Sequence, residues 1–484
     1  MAAQKSHSRF LARRMNWRGG ITIAFLLAII SVSLFGYVLG RQSDIFREFE
    51  AALLSVQWML LVCLAVWCGS FIFLTFDLND LPLIGLLLIS IAAYFIGYGT
   101  SSQAADTVIL LAGVTLGKGA RFFLYGSSRR QSALTEKPEI QNQESRIDQS
   151  GLTSAATFLI GLVVLLAFAS WWHLDMSANY YQGPRWMGLW DNPNIYGMLM
   201  GAGLALAAGL LIENCRRRGD ESHFENQKSV RDFLRRLLPI ILFIAAGMMA
   251  VGLVFSYSRG AWVGAAVGLL YLAKIYAKFK WRFVLPGIFI IAAVVWFFWN
   301  ATPENAPWYI KRMDFGRPSA QHRVSAWRGA LQIMRDHPFG VGWNKAIEVY
   351  QREYSPPEDG AGAITMNSYL MVGTELGIPG LLCFVTYVGL CFRKNPHLIR
   401  PAAIFSPSDA EKGKILSPAT CHLPLQATCR AGALVLLVAF WFDGGLFDLP
   451  TASVFWILLE LGASDSNGVQ HLTHKPALFS RNLM

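Results

Sequence analysis

The chain has 484 residues, 54% hydrophobic and 15% charged, with a formal net charge of +11 and a mean hydropathy of +0.38. Soluble domains carry about 25% charged residues, so this composition excludes an ordinary soluble enzyme, a disordered chain and a nucleic-acid-binding protein. Apolar stretches of about 20 residues, the length that crosses a bilayer, recur throughout.

Met1–Trp17 is polar and basic, and Ile21–Leu39 is apolar. That run exceeds the roughly 7–15 residues of a signal-peptide core, so it reads as an uncleaved first helix. Eleven further apolar segments follow: Ala52–Phe76, Leu81–Tyr98, Ala104–Tyr125, Ser154–Trp172, Ile195–Ile212, Leu237–Phe255, Gly260–Ala273, Phe283–Trp299, Ser368–Phe392, Ala431–Phe442 and Thr451–Leu461. Lys118, Arg121 and Lys274 fall near span ends, where long cationic side chains can snorkel to the interface. Span centres otherwise read as nearly free of ionisable residues, a pattern that disfavours a transporter or flippase.

The expected fold is therefore all-α: a polytopic integral membrane protein with about twelve transmembrane helices and one large external loop. Residues 1–300 hold helices 1–9 with cytoplasmic linkers at 126–153 and 213–236. Residues 301–366 form the external loop with an amphipathic helix, 367–462 hold helices 10–12, and 463–484 form a cytoplasmic tail. With the N-terminus inside, 30 of the 42 Lys and Arg residues lie on the inner side, and 8 of the remaining 12 lie in the one long loop. Long loops count little for orientation, so the bias puts both termini in the cytoplasm and explains the positive charge without nucleic acid. The seven cysteines fall in apolar spans or inner segments, and no structural disulfide is expected. Cys421, His422 and Cys429 do not have zinc-site spacing, and no metal is assigned.

Within Ala301–Thr365, Val324, Trp327, Leu331 and Met334 recur at three- and four-residue spacing, which predicts a helix over Gln321–Asp336. Arg323 and Trp327 are one turn apart. His337-Pro338 ends the helix, and Phe339-Gly340-Val341-Gly342 makes a turn that glycine permits. An amphipathic helix on the membrane surface has the same pattern. Trp308, Tyr309, Trp327, Trp343, Tyr350 and Tyr354 suit either stacking on sugars or interfacial anchoring.

The outer segments carry few charges. Arg185 lies in Gly183-Pro-Arg-Trp-Met-Gly-Leu-Trp-Asp-Asn-Pro-Asn194, Arg259 in Phe255-Ser-Tyr-Ser-Arg-Gly-Ala-Trp-Val-Gly264, and Arg323 at the start of the loop helix. Each suits interfacial anchoring beside Trp and Tyr. Three on one face suit an anion site, because the guanidinium fork matches phosphate oxygens. Gly340-Val-Gly342 lacks the context of a dinucleotide site, and no Ser-His-Asp set can be assembled. Asp44, Glu48 and Glu50 fit a solvated helix end or a divalent-metal site.

These segments resemble the O-antigen ligase/O-antigen polymerase family. Tyr257-Ser-Arg-Gly-Ala-Trp-Val-Gly264 is similar to its S-R-G signature. Arg323-x-x-x-Trp327 with Ala330–Gly342 resembles its external-loop signature, Asn367–Gly380 the opening of the following span, and Arg185–Asn194 an earlier R…G…NPN stretch. The resemblance implies a metal-independent glycosyltransferase of the GT-C type in the bacterial inner membrane, without a cofactor. Its donor would be an undecaprenyl-diphosphate-linked glycan. Its acceptor would be a glycan or lipid-linked hydroxyl, and related enzymes use a protein hydroxyl. Arg259 and Arg323 would bind the diphosphate, with Arg185, Asn194, Trp327 and Asn367 as further substrate contacts.

One position departs from the family. A histidine commonly precedes the Asn-Ser pair as a candidate general base, and here that residue is Met366, whose thioether cannot take a proton from a hydroxyl. His322, grouped with the two arginines as a catalytic candidate, Glu375, Glu358 and Asp359 are possible replacements. A non-catalytic component of a polysaccharide assembly system, or a transporter or flippase, are the rival readings. A metal-dependent oligosaccharyltransferase would need the acids of the first outer loop.

Overall fold

The computed structural model describes residues 24, 26–31, 34, 78–96, 101–126, 140–171, 185–190, 192–221, 230–276, 318–354, 367–393 and 419–463. Every regular element assigned within them is helical. The segments Ala52–Phe76 and Phe283–Trp299, the first-loop acids, Trp308, Tyr309, Glu358, Asp359 and Met366 lie outside the described residues.

Eleven helices carry the architecture: α1 (Leu81–Ile96), α2 (Ser101–Arg121), α3 (Ile140–Trp171), α4 (Pro193–Glu221), α5 (Val230–Phe255), α6 (Arg259–Tyr276), α7 (Pro318–Asp336), α8 (Ser368–Glu375), α9 (Gly377–Arg393), α10 (Ala419–Ala439) and α11 (Leu449–Ala463). Among the described residues, four stretches are long and apolar enough to cross a membrane: Asp106–Leu124, Ser154–Trp171, Pro193–Cys215 and Leu237–Phe255. Shorter apolar helices cover Leu81–Phe95, Gly377–Arg393, Leu425–Ala439 and Leu449–Ala463. Helix α3 begins at Ile140 and α4 continues to Glu221, so helix extends into both stretches read as linkers.

The centre of the bundle is the α10–α11 hairpin. Helix α10 packs on α4, α6 and α11, and α11 packs on α2. Every residue of α11 from Pro450 to Ala463 is buried. A helix that is apolar all round has no wet face to offer, so it is stable only inside. Helix α5 is the opposite case: Ile240, Ile241, Phe243 and Ile244 are exposed, Phe243 at 72%. A rim this apolar suits hydrocarbon better than water.

Small residues let α6 approach the centre. Gly260, Gly264 and Gly268 fall four apart on one face. A Cβ at Gly260 would stand 2.6 Å from the Phe442 Cβ, and one at Gly264 would collide with the Val435 carbonyl oxygen. At Gly268 it would meet the Val435 side chain. This is the close backbone contact that small-residue repeats provide in membranes.

The two ends of the bundle differ chemically. At one end Lys118 Nζ lies 2.7 Å from Asp80 Oδ1 and 3.1 Å from Glu460 Oε1, and Arg121 Nη1 lies 3.2 Å from Glu460 Oε2. The Tyr387 hydroxyl also donates to Glu460. Arg430 donates to the carbonyls of Gly462 (2.9 Å) and Cys391 (3.4 Å). In place of the expected snorkelling, Lys118 is buried, and both Lys118 and Arg121 are paired to a carboxylate inside α11. A buried carboxylate survives desolvation only when paired and hydrogen-bonded, and Glu460 has three partners.

The loop helix runs Pro318–Asp336, matching the predicted Gln321–Asp336. The turn that follows it docks on the break between α8 and α9. Val341 N donates to Thr374 O and Gly342 N to Glu375 O, both at 3.0 Å, while Ile378 N donates to Pro338 O at 2.9 Å. Gly340 has φ +86° and Gly377 φ +75°, conformations that glycine adopts without the strain a Cβ brings. Trp343, fully buried, donates its indole N–H to Ser90 O at 2.9 Å, and so pins the loop to α1.

Candidate active site at the Phe442–Asp443 turn

At the end opposite Glu460, residues 440–444 follow α10 as a tight turn. Four helix starts meet it. From α8, Ser368 N donates to Phe440 O (2.9 Å) and Ser368 Oγ to Asp443 O (3.0 Å). From α7, Arg323 Nη1 donates to Phe442 O (3.3 Å). From α4, Asn194 Nδ2 donates to Asp443 Oδ2 (2.5 Å). From α6, Gly260 packs on the Phe442 ring and Cβ, which sets its neighbour Arg259 beside the turn.

Arg185 anchors this arrangement from behind. It is buried, with Nε donating to Ser256 O (2.7 Å) and Nη2 to Asn194 Oδ1 (2.9 Å). Arg185, Asn194 and Asp443 thus form one hydrogen-bonded chain. The S-R-G turn is a break between helices: α5 ends at Phe255, Tyr257 has φ +48°, and α6 restarts at Arg259. A non-glycine residue there costs of order 1 kcal/mol and is held by its surroundings. Ser256 Oγ receives the Ser258 N–H at 3.2 Å, and the Trp262 indole donates to Leu253 O at 2.8 Å.

Charge at the turn comes from Arg185, Arg323 and the Asp443 carboxyl, and Arg259 opens α6 next to Gly260, which packs on Phe442. The N-terminal ends of α4, α6 and α8 carry partial positive charge. Burial pushes the Asp443 carboxyl above its usual range, opposed by the Asn194 hydrogen bond and by Arg323, the Gly444 amide and Arg185. The residue as a whole is half-buried, and its carboxyl is drawn out of water. Beside it, exposed Trp441 packs against Trp327 (centroids 6.0 Å) and Tyr369 (5.6 Å). These rings form an aromatic shelf next to Arg323.

Arg185, Asn194, Arg259, Arg323 and Trp327 therefore gather around one turn. Asn367 adjoins it as the N-cap of α8, its Oδ1 accepting from Tyr369 N (3.0 Å) and Leu370 N (3.1 Å). His322 is in α7 beside Arg323, with its side chain outside the described residues. Glu375 is elsewhere: it is 1% exposed, next to the Gly342 turn and in the field of Asp106. Trp343 and Tyr350 are buried packing residues, Tyr350 against Gly329, which corrects their reading as sugar-stacking rings. Tyr354 instead donates to Asp336 Oδ2 at 2.7 Å. Asp443 and Trp441 are absent from the sequence-based candidates. Their signal is an isolated acid in Trp441-Phe-Asp-Gly-Gly445 between two apolar runs. Among the described residues, no group of three or more His, Cys, Asp or Glu side chains is placed to hold a metal ion.

The fold and this turn define a helical integral membrane protein with a cationic, aromatic-flanked site where helix starts converge. Residues 244–385 match the family model described as O-antigen ligase. The match, less than a third of the chain, includes the S-R-G turn, the loop helix and the start of α9, so this part of the chain is similar to the O-antigen ligase family. No curated protein matches the chain.

Proposed function

We propose that the protein transfers or polymerises glycan from an undecaprenyl-diphosphate-linked donor to a hydroxyl acceptor at the outer face of the bacterial inner membrane. The observation that supports this reading is Arg323 bound to the Phe442 carbonyl, with Gly260, the neighbour of Arg259, packed on the Phe442 side chain. When the glycosidic bond breaks, negative charge grows on the diphosphate. Fixed cations and helix N-termini aimed at that charge lower the barrier. The Trp441–Trp327–Tyr369 shelf offers faces for sugar rings. Arg185 acts through Asn194, holding the site's frame. In this reading the chain crosses the membrane about twelve times with both termini inside, the Asp443 end faces out and the Glu460 end faces in.

The test is glycan transfer in proteoliposomes with the undecaprenyl-diphosphate oligosaccharide and lipid acceptor of the protein's own cell. Arg259→Ala and Arg323→Ala are each expected to lose about 10²–10³-fold in turnover, the scale of a lost charge-stabilising donor, while remaining inserted with unchanged melting temperature. Full activity in both removes the diphosphate assignment. Met366 supports one other reading, a non-catalytic assembly component. In that case the wild type binds the lipid-linked glycan without turnover.

A further inference from the structure

A hydroxyl nucleophile must shed its proton as it attacks, and Met366 cannot accept it. We propose that Asp443 is the proton acceptor, a role that rests on the transfer reaction proposed above. The carboxyl is fixed at both oxygens, Oδ2 by Asn194 Nδ2 at 2.5 Å and Oδ1 by Gly444 N at 2.8 Å. Each oxygen of a carboxylate has two acceptor sites, so a substrate hydroxyl can still donate to it. Its backbone carbonyl receives Ser368 Oγ at 3.0 Å, which places the residue at the start of α8, where Ser368 is two positions from Met366 in the chain. Arg323 donates to the carbonyl of the preceding residue, Phe442, and Trp441 of the aromatic shelf is two positions earlier in the same turn.

Other carboxyls at this end fit less well. Glu375 is sealed at 1% exposure and faces the Gly342 turn. Asp106 belongs to that same neighbourhood, where it hydrogen-bonds the Asn344 side chain. Asp448 is exposed, but it is not hydrogen-bonded into the Arg185–Asn194 chain. Asp443 combines a half-buried position in the turn, a carboxyl fixed at both oxygens and a link through Asn194 to Arg185.

In the reaction, the acceptor oxygen forms a bond to the anomeric carbon of the donor sugar. The bond from that carbon to the diphosphate oxygen breaks, and its electron pair leaves with undecaprenyl diphosphate beside Arg259 and Arg323. The hydroxyl proton passes to the Asp443 carboxylate and then to water. Among the described residues, the charged groups facing Asp443 include Arg323 on α7, Arg185 before α4 and Asp448 at the far end of its own loop. Burial outweighs the arginines and raises its proton affinity, the direction that makes a carboxylate a better base near neutral pH.

The experiment compares two nucleophiles in the same proteoliposomes: the native hydroxyl acceptor, and azide, which attacks without losing a proton. For Asp443→Asn, hydroxyl transfer is expected to fall about 10²–10⁴-fold, the usual contribution of a general base. Glycosyl azide formation should stay within about threefold of wild type, and undecaprenyl diphosphate binding should be unchanged. Hydroxyl transfer near the wild-type rate overturns the assignment. So does a parallel loss of both nucleophiles, which marks Asp443 as a positioning residue for the arginines. If Asp443→Asn does not fold, the wild type decides: its hydroxyl reaction must show an acid limb that azide transfer, followed where azide is ionised, lacks. Failure of the wild type with both nucleophiles overturns the proposed function itself, an outcome distinct from a selective change in Asp443→Asn.

Discussion

Asp443 carries opposing demands, and its protonation has a thermodynamic signature apart from turnover. Because burial raises its proton affinity in the folded protein, the folded state binds this proton more tightly than the unfolded chain. The stability that follows is complete below the ordinary aspartate value of about 3.9 and is lost as pH rises through the raised folded value. An asparagine side chain at this position has no proton to lose. The melting temperature of Asp443→Asn in detergent, relative to wild type, is therefore expected to increase as pH is taken from the ordinary carboxylate range to neutrality. A carboxylate held mainly as an ion partner of Arg185 and Arg323 gives the opposite trend, and differential scanning fluorimetry across pH separates the two. Asp443 escapes a reading of the sequence for a simple reason. Its partner Asn194 is 249 residues away, and no local spacing reports such a contact. Arg259, Arg323 and Asn194 are legible because each belongs to a compact motif with glycine, tryptophan or proline neighbours.

Among the elements, α6 and the loop helix determine whether the site exists. The Gly260–Gly264–Gly268 face presses α6 onto α10, and that contact sets Arg259 beside Phe442. A side chain at Gly264 has to displace the Val435 carbonyl, which sits in a packed backbone rather than at a flexible tip. Gly264→Leu is expected to cost about 1–3 kcal/mol, the usual range for overpacking. It should also lower transfer at least tenfold by moving Arg259, although residue 264 lies a full turn from the site. Wild-type turnover in a folded Gly264→Leu variant removes this account of how the arginine is placed. Hydropathy makes α6 legible as a span, and the period of Val324, Trp327, Leu331 and Met334 reveals α7. Neither pattern tells which helix face meets which neighbour. That depends on backbone approach and on such insertions as Trp343 into the α1 side of the bundle.

For the whole molecule, the ionic cluster around Glu460 ties α2, α9 and α11 to the Asp80 turn before α1, at the end away from Asp443. Removing one charge of a buried network strands the others, and this typically costs about 3–5 kcal/mol. Lys118→Met leaves Asp80 without its cation and Glu460 with Arg121 and Tyr387. The variant is expected to melt well below wild type in detergent. Any folded fraction should retain its affinity for undecaprenyl diphosphate, because the anion site is at the other end. Equal loss of stability and of affinity per folded molecule contradicts this separation of roles. The cluster is illegible in the sequence because Lys118 and Arg121 fit snorkelling cations equally well, and Glu460 is a single acid in an otherwise apolar run.

The turn at 440–444 lies between the two central helices and close to the C-terminal end of the described chain, yet it is where the starts of α4, α6, α7 and α8 are joined. During synthesis those earlier helices leave the ribosome before the residues that unite them. A nascent chain that has not yet delivered Phe442 and Asp443 has its arginines in the membrane but lacks the turn that gathers them. On the proposed function, reactivity toward a lipid-linked donor is thereby withheld until the α10–α11 hairpin has been delivered.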